Sequence, residues 1–134
     1  MPMFSIFDIS GSALSAQSIR MNAAASNMAN ADSVSGPNGE AYRAKQVMFE
    51  AQGRGEGLGG VQATKLVEDT APLHREYKPG HPLADKDGYI ETSNVNPVNE
   101  MVNMMAASRS YQANLEIMGT AKQLMQKTLT MGEN

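Results

Sequence analysis

Cysteine is absent from the 134 residues, which excludes disulfide scaffolds, thiolate metal sites and a cysteine nucleophile. A chain without cysteine suits reducing and oxidising compartments equally, so the compartment stays open. Tryptophan is also absent and aromatic residues make up only 5%, so a core anchored on large rings is not expected. Charge is thin, at 19% of residues, where an average soluble domain carries roughly 25%. The net charge of −3 sets up no field that would draw nucleic acid or an anionic membrane. Basic residues are scattered and not interleaved with aromatics, which argues further against a nucleic-acid groove. No apolar run approaches the ~20 residues that span a bilayer. Residues 1–7 lack the basic and apolar segments of a secretory leader, so export without a cleaved signal peptide is expected if the chain leaves the cytoplasm.

What is present is alanine, 11 methionines and a three-part layout. Methionine fills irregular gaps and tolerates repacking. A first helical segment is expected over residues 5–31, with Ser5 and Asp8 at the spacing of an N-terminal capping box. Phe4, Phe7, Leu14, Met21, Ala25 and Met28 fall at 3/4 spacing on one stripe. The run Ser33–Gly39 breaks that helix. Residues 33–95 are rich in Gly, Pro and β-formers. Residues 46–49 suit one strand and 61–67 a better one, with a glycine-rich stretch over Gly53–Gly60 between them. Residues 70–73 and 78–82 suit turn or extended chain, because proline fixes φ and removes a donor. Asp87-Gly88 ahead of Tyr89 is a hairpin turn signal.

The last segment has the clearest pattern. Asn96 suits an N-cap and Pro97 the first helical position, where a missing N–H costs nothing. Heptad slots then read Met101, Met104, Ser108, Tyr111, Leu115, Met118, Lys122, Met125 and Leu129, with Ala121 beside Lys122 able to continue the seam. Glu100 early, Lys127 late and Gly132 as a stop agree with the helix dipole. A helix over 97–131 would be on the order of 50 Å long.

Between Ile9 and Ala31 the only charged side chain is Arg20. A helix on the surface of a monomer normally opposes an apolar stripe with a charged face; here the remaining positions are mostly Ala, Ser, Asn, Gln and Gly. An outer face of small uncharged residues suits contact with other chains, since it avoids burying ions. Two such helices alone would be marginal: a buried Leu, Met or Phe contributes ~1.5–3 kcal/mol, against ~1–2 kcal/mol of backbone entropy per ordered residue. The termini are therefore expected to be disordered or molten in the monomer and to order on polymerisation.

Ala25–Ser33 (Ala-Ser-Asn-Met-Ala-Asn-Ala-Asp-Ser) followed by Tyr42-Arg43 resembles the N-terminal signature of bacterial flagellar rod and hook proteins. Asn96–Val102, Ala106–Asn114 and the closing Lys127–Leu129 with Gly132 resemble the family's C-terminal signature. Glu68–Pro72, Tyr77–Asp85 and Gly88-Tyr89 narrow the likeness to the proximal-rod members, whose short central region this chain shares. The alternative within the family is another axial protein, hook-related or of the distal rod. The resemblance implies export unfolded through the flagellar type III apparatus and stacking into a periplasm-spanning tube that transmits torque. Implied partners are copies of the chain itself, other proximal and distal rod proteins, and the basal-body adaptor at the export gate; nucleic acid and direct membrane insertion are not among them.

The fold expected is mainly α with a small β-rich region, its N- and C-terminal helices pairing as a coiled-coil-like unit around a central β/loop insertion. Residues 1–32 and 96–134 would form the tube-forming domain and residues 33–95 the central region. Assembly contacts are expected from Phe7, Leu14, Met21 and Met28, facing Met104, Tyr111, Leu115 and Met118 in the same chain or a neighbour. Met101, Met125 and Leu129 would extend them. Asn27 and Asn30 are expected to hydrogen-bond near the end of the first helix, and Arg109 to make a charge-assisted contact between subunits.

Chemical motifs do not hold up. Gly55–Gly60 spells G-x-G-x-x-G, but a β-rich run follows where a dinucleotide fold needs a helix. Asp85–Gly88 hints at a calcium loop, yet Tyr89 and Asn96 would fall on ligand positions. His74 and His81 lack a third strong zinc ligand. No nucleophile–base arrangement stands out, so neither a cofactor nor an enzymatic activity is expected.

Overall fold

The computed structural model describes residues 2–35, 39–53, 55 and 59–133. Its elements are α1 (Pro2–Ala29), β1 (Lys45–Ala51), β2 (Val61–Glu68), β3 (His74–Tyr77), β4 (Tyr89–Thr92) and α2 (Pro97–Gly132). At 28 and 36 residues the helices are roughly 42 and 54 Å long. Helix α2 begins as its sequence directs: the Asn96 side chain accepts hydrogen bonds from the Val98 and Asn99 amides, with Pro97 in the first turn. It ends through Gly132, its last helical residue, with Glu133 as a right-handed C-cap. Helix α1 starts earlier than the capping pattern suggested. Ser5 and Asp8 therefore lie inside its first turns, past the N-cap position.

The helices pack side by side and antiparallel. Arg20 reaches Asn103 near the start of α2, while Ile6 shares a groove with Ile117 and Leu124 toward its far end. The seam is built from small residues: Ala16, Ala24, Ala107 and Ala121 are all buried. Met104, Tyr111, Met118 and Met125 are half-buried on α2, as are Phe7, Leu14, Met21 and Met28 on α1. The buried residues of α2 are Glu100, Ala107 and Ala121, each one place before the heptad slots Met101, Ser108 and Lys122. Met101, Leu115 and Leu129 are exposed. Side-chain size accounts for the rotation, since alanine lets two axes approach where Met or Leu would hold them apart. Phe4 and Ala25 likewise leave the expected α1 stripe and face outward.

Strands β1 and β2 form an antiparallel hairpin, with a register shift between Met48 and Phe49. Strands β3 and β4 form a second two-stranded sheet, and Val34 bridges to Thr92 at its edge. Strand β3 has no counterpart in the sequence pattern, because His-Arg-Glu-Tyr is polar and exposed throughout. Its partner supplies the apolar content: Ile90 and, just beyond it, Val95 are fully buried. The turn at Asp87-Gly88 closes this sheet. Gly88 has φ +82°, and a Cβ there would lie 2.9 Å from the Tyr77 ring.

The β1–β2 hairpin lies along α1 and is fastened at both ends. Asn27 holds the start of β1 at Lys45, and Ser12 holds the start of β2, accepting a 3.0 Å hydrogen bond from the Val61 amide. The fifteen steps from Ser12 to Asn27 rise roughly 22 Å as helix, close to the roughly 20 Å covered by the six steps of strand β1. The two elements match in length. Gly60 permits the docking, as a Cβ there would sit 2.2 Å from Ser12 Oγ. The glycine-rich stretch is thus sterically fixed at its end. The middle of its G-x-G-x-x-G motif, residues 56–58, lies outside the described residues.

Candidate assembly surface and the junction that presents it

Asn27 is 1% exposed and uses both ends of its amide. Its Nδ2 donates to the Lys45 carbonyl at 2.9 Å, and its Oδ1 accepts from the Lys45 amide at 2.9 Å and from the Tyr42 hydroxyl at 2.8 Å. The side chain stands in for a neighbouring strand at the first residue of β1. Asn30 works more locally: its Nδ2 donates to the Ser26 carbonyl at 2.9 Å, and its own carbonyl accepts from Ser33 Oγ. Both asparagines therefore spend these bonds within the chain.

Asn94 repeats the device from the other side. Its Oδ1 accepts from the Ala44 amide at 2.7 Å, and its Nδ2 donates to the carbonyls of Asp69 and Ala71. Arg43 Nη1 donates to the same two carbonyls at 3.1 and 3.0 Å. The segments leaving α1, leaving β2 and entering α2 thus meet at one polar knot. Such a crossing of irregular chain would otherwise leave buried peptide groups unmet. Nothing in the sequence singled out Asn94 or Ser12, because a polar residue in a loop leaves no periodic trace. Tyr42 and Arg43 were visible only as part of the family likeness.

Beyond this knot, the outer face of α1 is poor in charge. On α1 the exposed face runs through Phe4, Asp8, Ser15, Ile19, Asn22 and Ser26. Arg20 is turned to α2, so beyond Asp8 that face carries no charge. On α2 an outward stripe of exposed side chains runs through Val98, Val102, Met105 and Arg109, while exposed Ile117 and Leu124 flank the seam beside Ile6 of α1. Ile6, Ala113, Glu116, Ile117, Thr120, Ala121 and Leu124 line an open, largely apolar groove of about 520 Å³. Contiguous apolar surface of this kind on a small chain marks an interaction site. Among the described residues no group of three or more His, Cys, Asp or Glu could hold a metal, and no helix is long and apolar enough to cross a membrane.

Comparison with known proteins agrees with this geometry. The family described as "Flagella basal body rod protein" matches residues 7–37, and "Flagellar basal body rod FlgEFG protein C-terminal" matches residues 86–131. The flagellar basal-body rod protein FlgC of Salmonella typhimurium is 56% identical over 99% of this chain and 100% of its own length. The chain belongs to the FlgC family. Rod proteins of the same name from Yersinia enterocolitica, 55% identical, and Buchnera aphidicola, 47% identical, are also covered in full. FlgC-family chains are structural subunits of the flagellar basal-body rod. The two matched stretches contain most of both helices, the Asn27 anchor and Asn94. They coincide with the parts that set the helix pair against the central sheets.

Proposed function

We propose that this chain is a proximal-rod subunit whose terminal helices, within residues 1–32 and 96–134, form the wall of a torque-transmitting tube. The central region of residues 33–95 stands outside that wall. Its action is mechanical and involves no catalysis. It leaves the cytoplasm through the flagellar type III apparatus, spans part of the periplasm, and meets other rod proteins, the basal-body adaptor and the export gate.

One observation carries the reading. Between them the helices bury alanine, while Phe4, Ile6, Val98, Val102, Met105, Ile117 and Leu124 remain exposed and the methionines along the seam are only half-covered. A monomer so built leaves most of its hydrophobic stabilisation unused until neighbours cover it. Met101, Leu115 and Leu129, exposed beside the seam, and Arg109, within the outward stripe, are the residues through which subunits meet. Phe7, Leu14, Met21, Met28, Met104, Tyr111, Met118 and Met125 offer neighbours the parts that the seam leaves uncovered, while Asn27 and Asn30 support assembly from within the chain.

Deleting residues 1–30 should abolish swimming and basal-body formation in a strain lacking the native gene; normal motility would sink the proposal. Sedimentation with circular dichroism should show an extended, under-helical monomer. A compact, fully helical monomer at low concentration would contradict ordering on assembly.

A further inference from the structure

Helix α2, at 36 residues, outruns α1, at 28, and its surplus lies past the start of α1. Ala121 is its last buried residue and Met125 its last half-buried one. From Gln126 to Glu133 every residue is exposed, on all sides of the helix. Ala107, Ala121 and Thr128 stand at whole-heptad intervals, so Thr128 continues the face that α1 covers farther back. The Thr128 and Thr130 hydroxyls donate to the helix's own backbone, at the Leu124 and Gln126 carbonyls, each at 2.8 Å. Leu124, Leu129 and Met131 are exposed beside them, and Lys127 is the only charged residue between Leu124 and Gly132. This end is therefore a mainly apolar surface. Helical turns that pack on nothing are marginal in water.

We propose that the free end of α2 docks on the first turns of α2 in a second copy of the chain, head to tail, with Leu124, Thr128 and Met131 against Val98, Val102 and Met105. Spacing selects this occupant. Val98, Val102 and Met105 are exposed and repeat the four-then-three spacing of Leu124, Thr128 and Met131, so two parallel helices meet at all three levels. Charge agrees with it. The carboxyl end of one helix carries partial negative charge and lies beside the amino end of the other, which carries partial positive charge. Glu100, the only charged residue from Pro97 to Ser108, is buried, so docking strips water from no ion on that side. The ends also fit. In this alignment Asn96 of the next copy falls level with Lys122, where the cover by α1 gives out, so the second helix pair begins where the first stops. Because the two patches differ, the contact is heterologous and extends from copy to copy without ending at a dimer. It rests on the rod-subunit reading above and adds which end meets which.

The absence of native cysteine makes the contact directly measurable with Val102→Cys and Thr128→Cys placed in one chain. The two positions lie roughly 39 Å apart along one straight helix, far beyond the reach of a disulfide within the chain. Purified basal bodies carrying this double variant, once oxidised, should give dimers, trimers and longer products on a non-reducing gel, while each single variant stays monomeric. Monomers throughout, or a product that stops at the dimer, overturn the proposal. Dimers from Thr128→Cys alone also overturn it, because they would mean that two free ends pair with each other. In each of these cases basal bodies have formed, so the rod reading, tested by deletion, is judged separately. If the cysteine variants build no basal bodies, a charged pair replaces them. Val102→Glu and Thr128→Lys each suit the polarity of their helix end and should leave the isolated chain's circular dichroism unchanged. Each alone should lose swimming and the two together should regain it; failure of the pair to regain it overturns the proposal.

Discussion

Asn27 meets Lys45 through both ends of its amide, and neither an acid nor an apolar residue can do the same. In Asn27→Asp the donor to the Lys45 carbonyl is lost and a carboxylate is buried in its place. The loss should be on the order of 1–3 kcal/mol for each unmet group, seen as faster hydrogen exchange at the Lys45 amide in assembled basal bodies. Asp85 makes a second prediction at this scale. The Tyr89 amide holds its carboxyl below the ordinary range, helped by the Asp87 amide and Arg75. A carboxyl depressed in the folded state stabilises the loop above its unfolded pKa and loses that effect as pH falls through the folded value. Protection of the Tyr89 amide should therefore decline only in acid below the usual carboxylate range. Asp85→Asn should remove that pH dependence.

The elements hold together by matched lengths and a few fasteners. Gly60→Ala would force a Cβ against Ser12 Oγ and lift the β1–β2 hairpin from α1, whereas Gly53→Ala meets open space and should be tolerated. Exchange rates at the Val61 amide would separate the two variants. At the start of α2, Asn96→Ala removes an acceptor for two amides and should cost about 1 kcal/mol, read as fraying of the first turn. Helix α2 was legible almost to the residue because its cap, proline and heptads all act locally. Strand β3 was not legible, because its polar residues are held by pairing with β4. Lys122 in a heptad slot was the one hint that the true seam lay at Ala121.

At the scale of the molecule, the proposed rod subunit would meet its neighbours through the exposed apolar side chains of α2. Ile117→Glu places a second carboxylate, beside Glu116, at an exposed position of the groove that borders the seam. It should leave the isolated chain's circular dichroism unchanged while lowering swimming and rod yield. If that variant assembled normally, the groove would not be an interface.

Local chemistry in the sequence determined the two helices, the N-cap of α2, the breaks between them, the poverty of charge on α1 and the likeness to rod proteins. These depend on near neighbours, so the chain alone specifies them. Tertiary structure decided which side of each helix is buried, that Asn27 and Asn94 complete strands distant from them in sequence, and that Arg20 points inward. Each of those depends on how closely two alanine-lined axes approach and on which buried peptide groups then need a partner, and neither quantity exists until the elements are packed together.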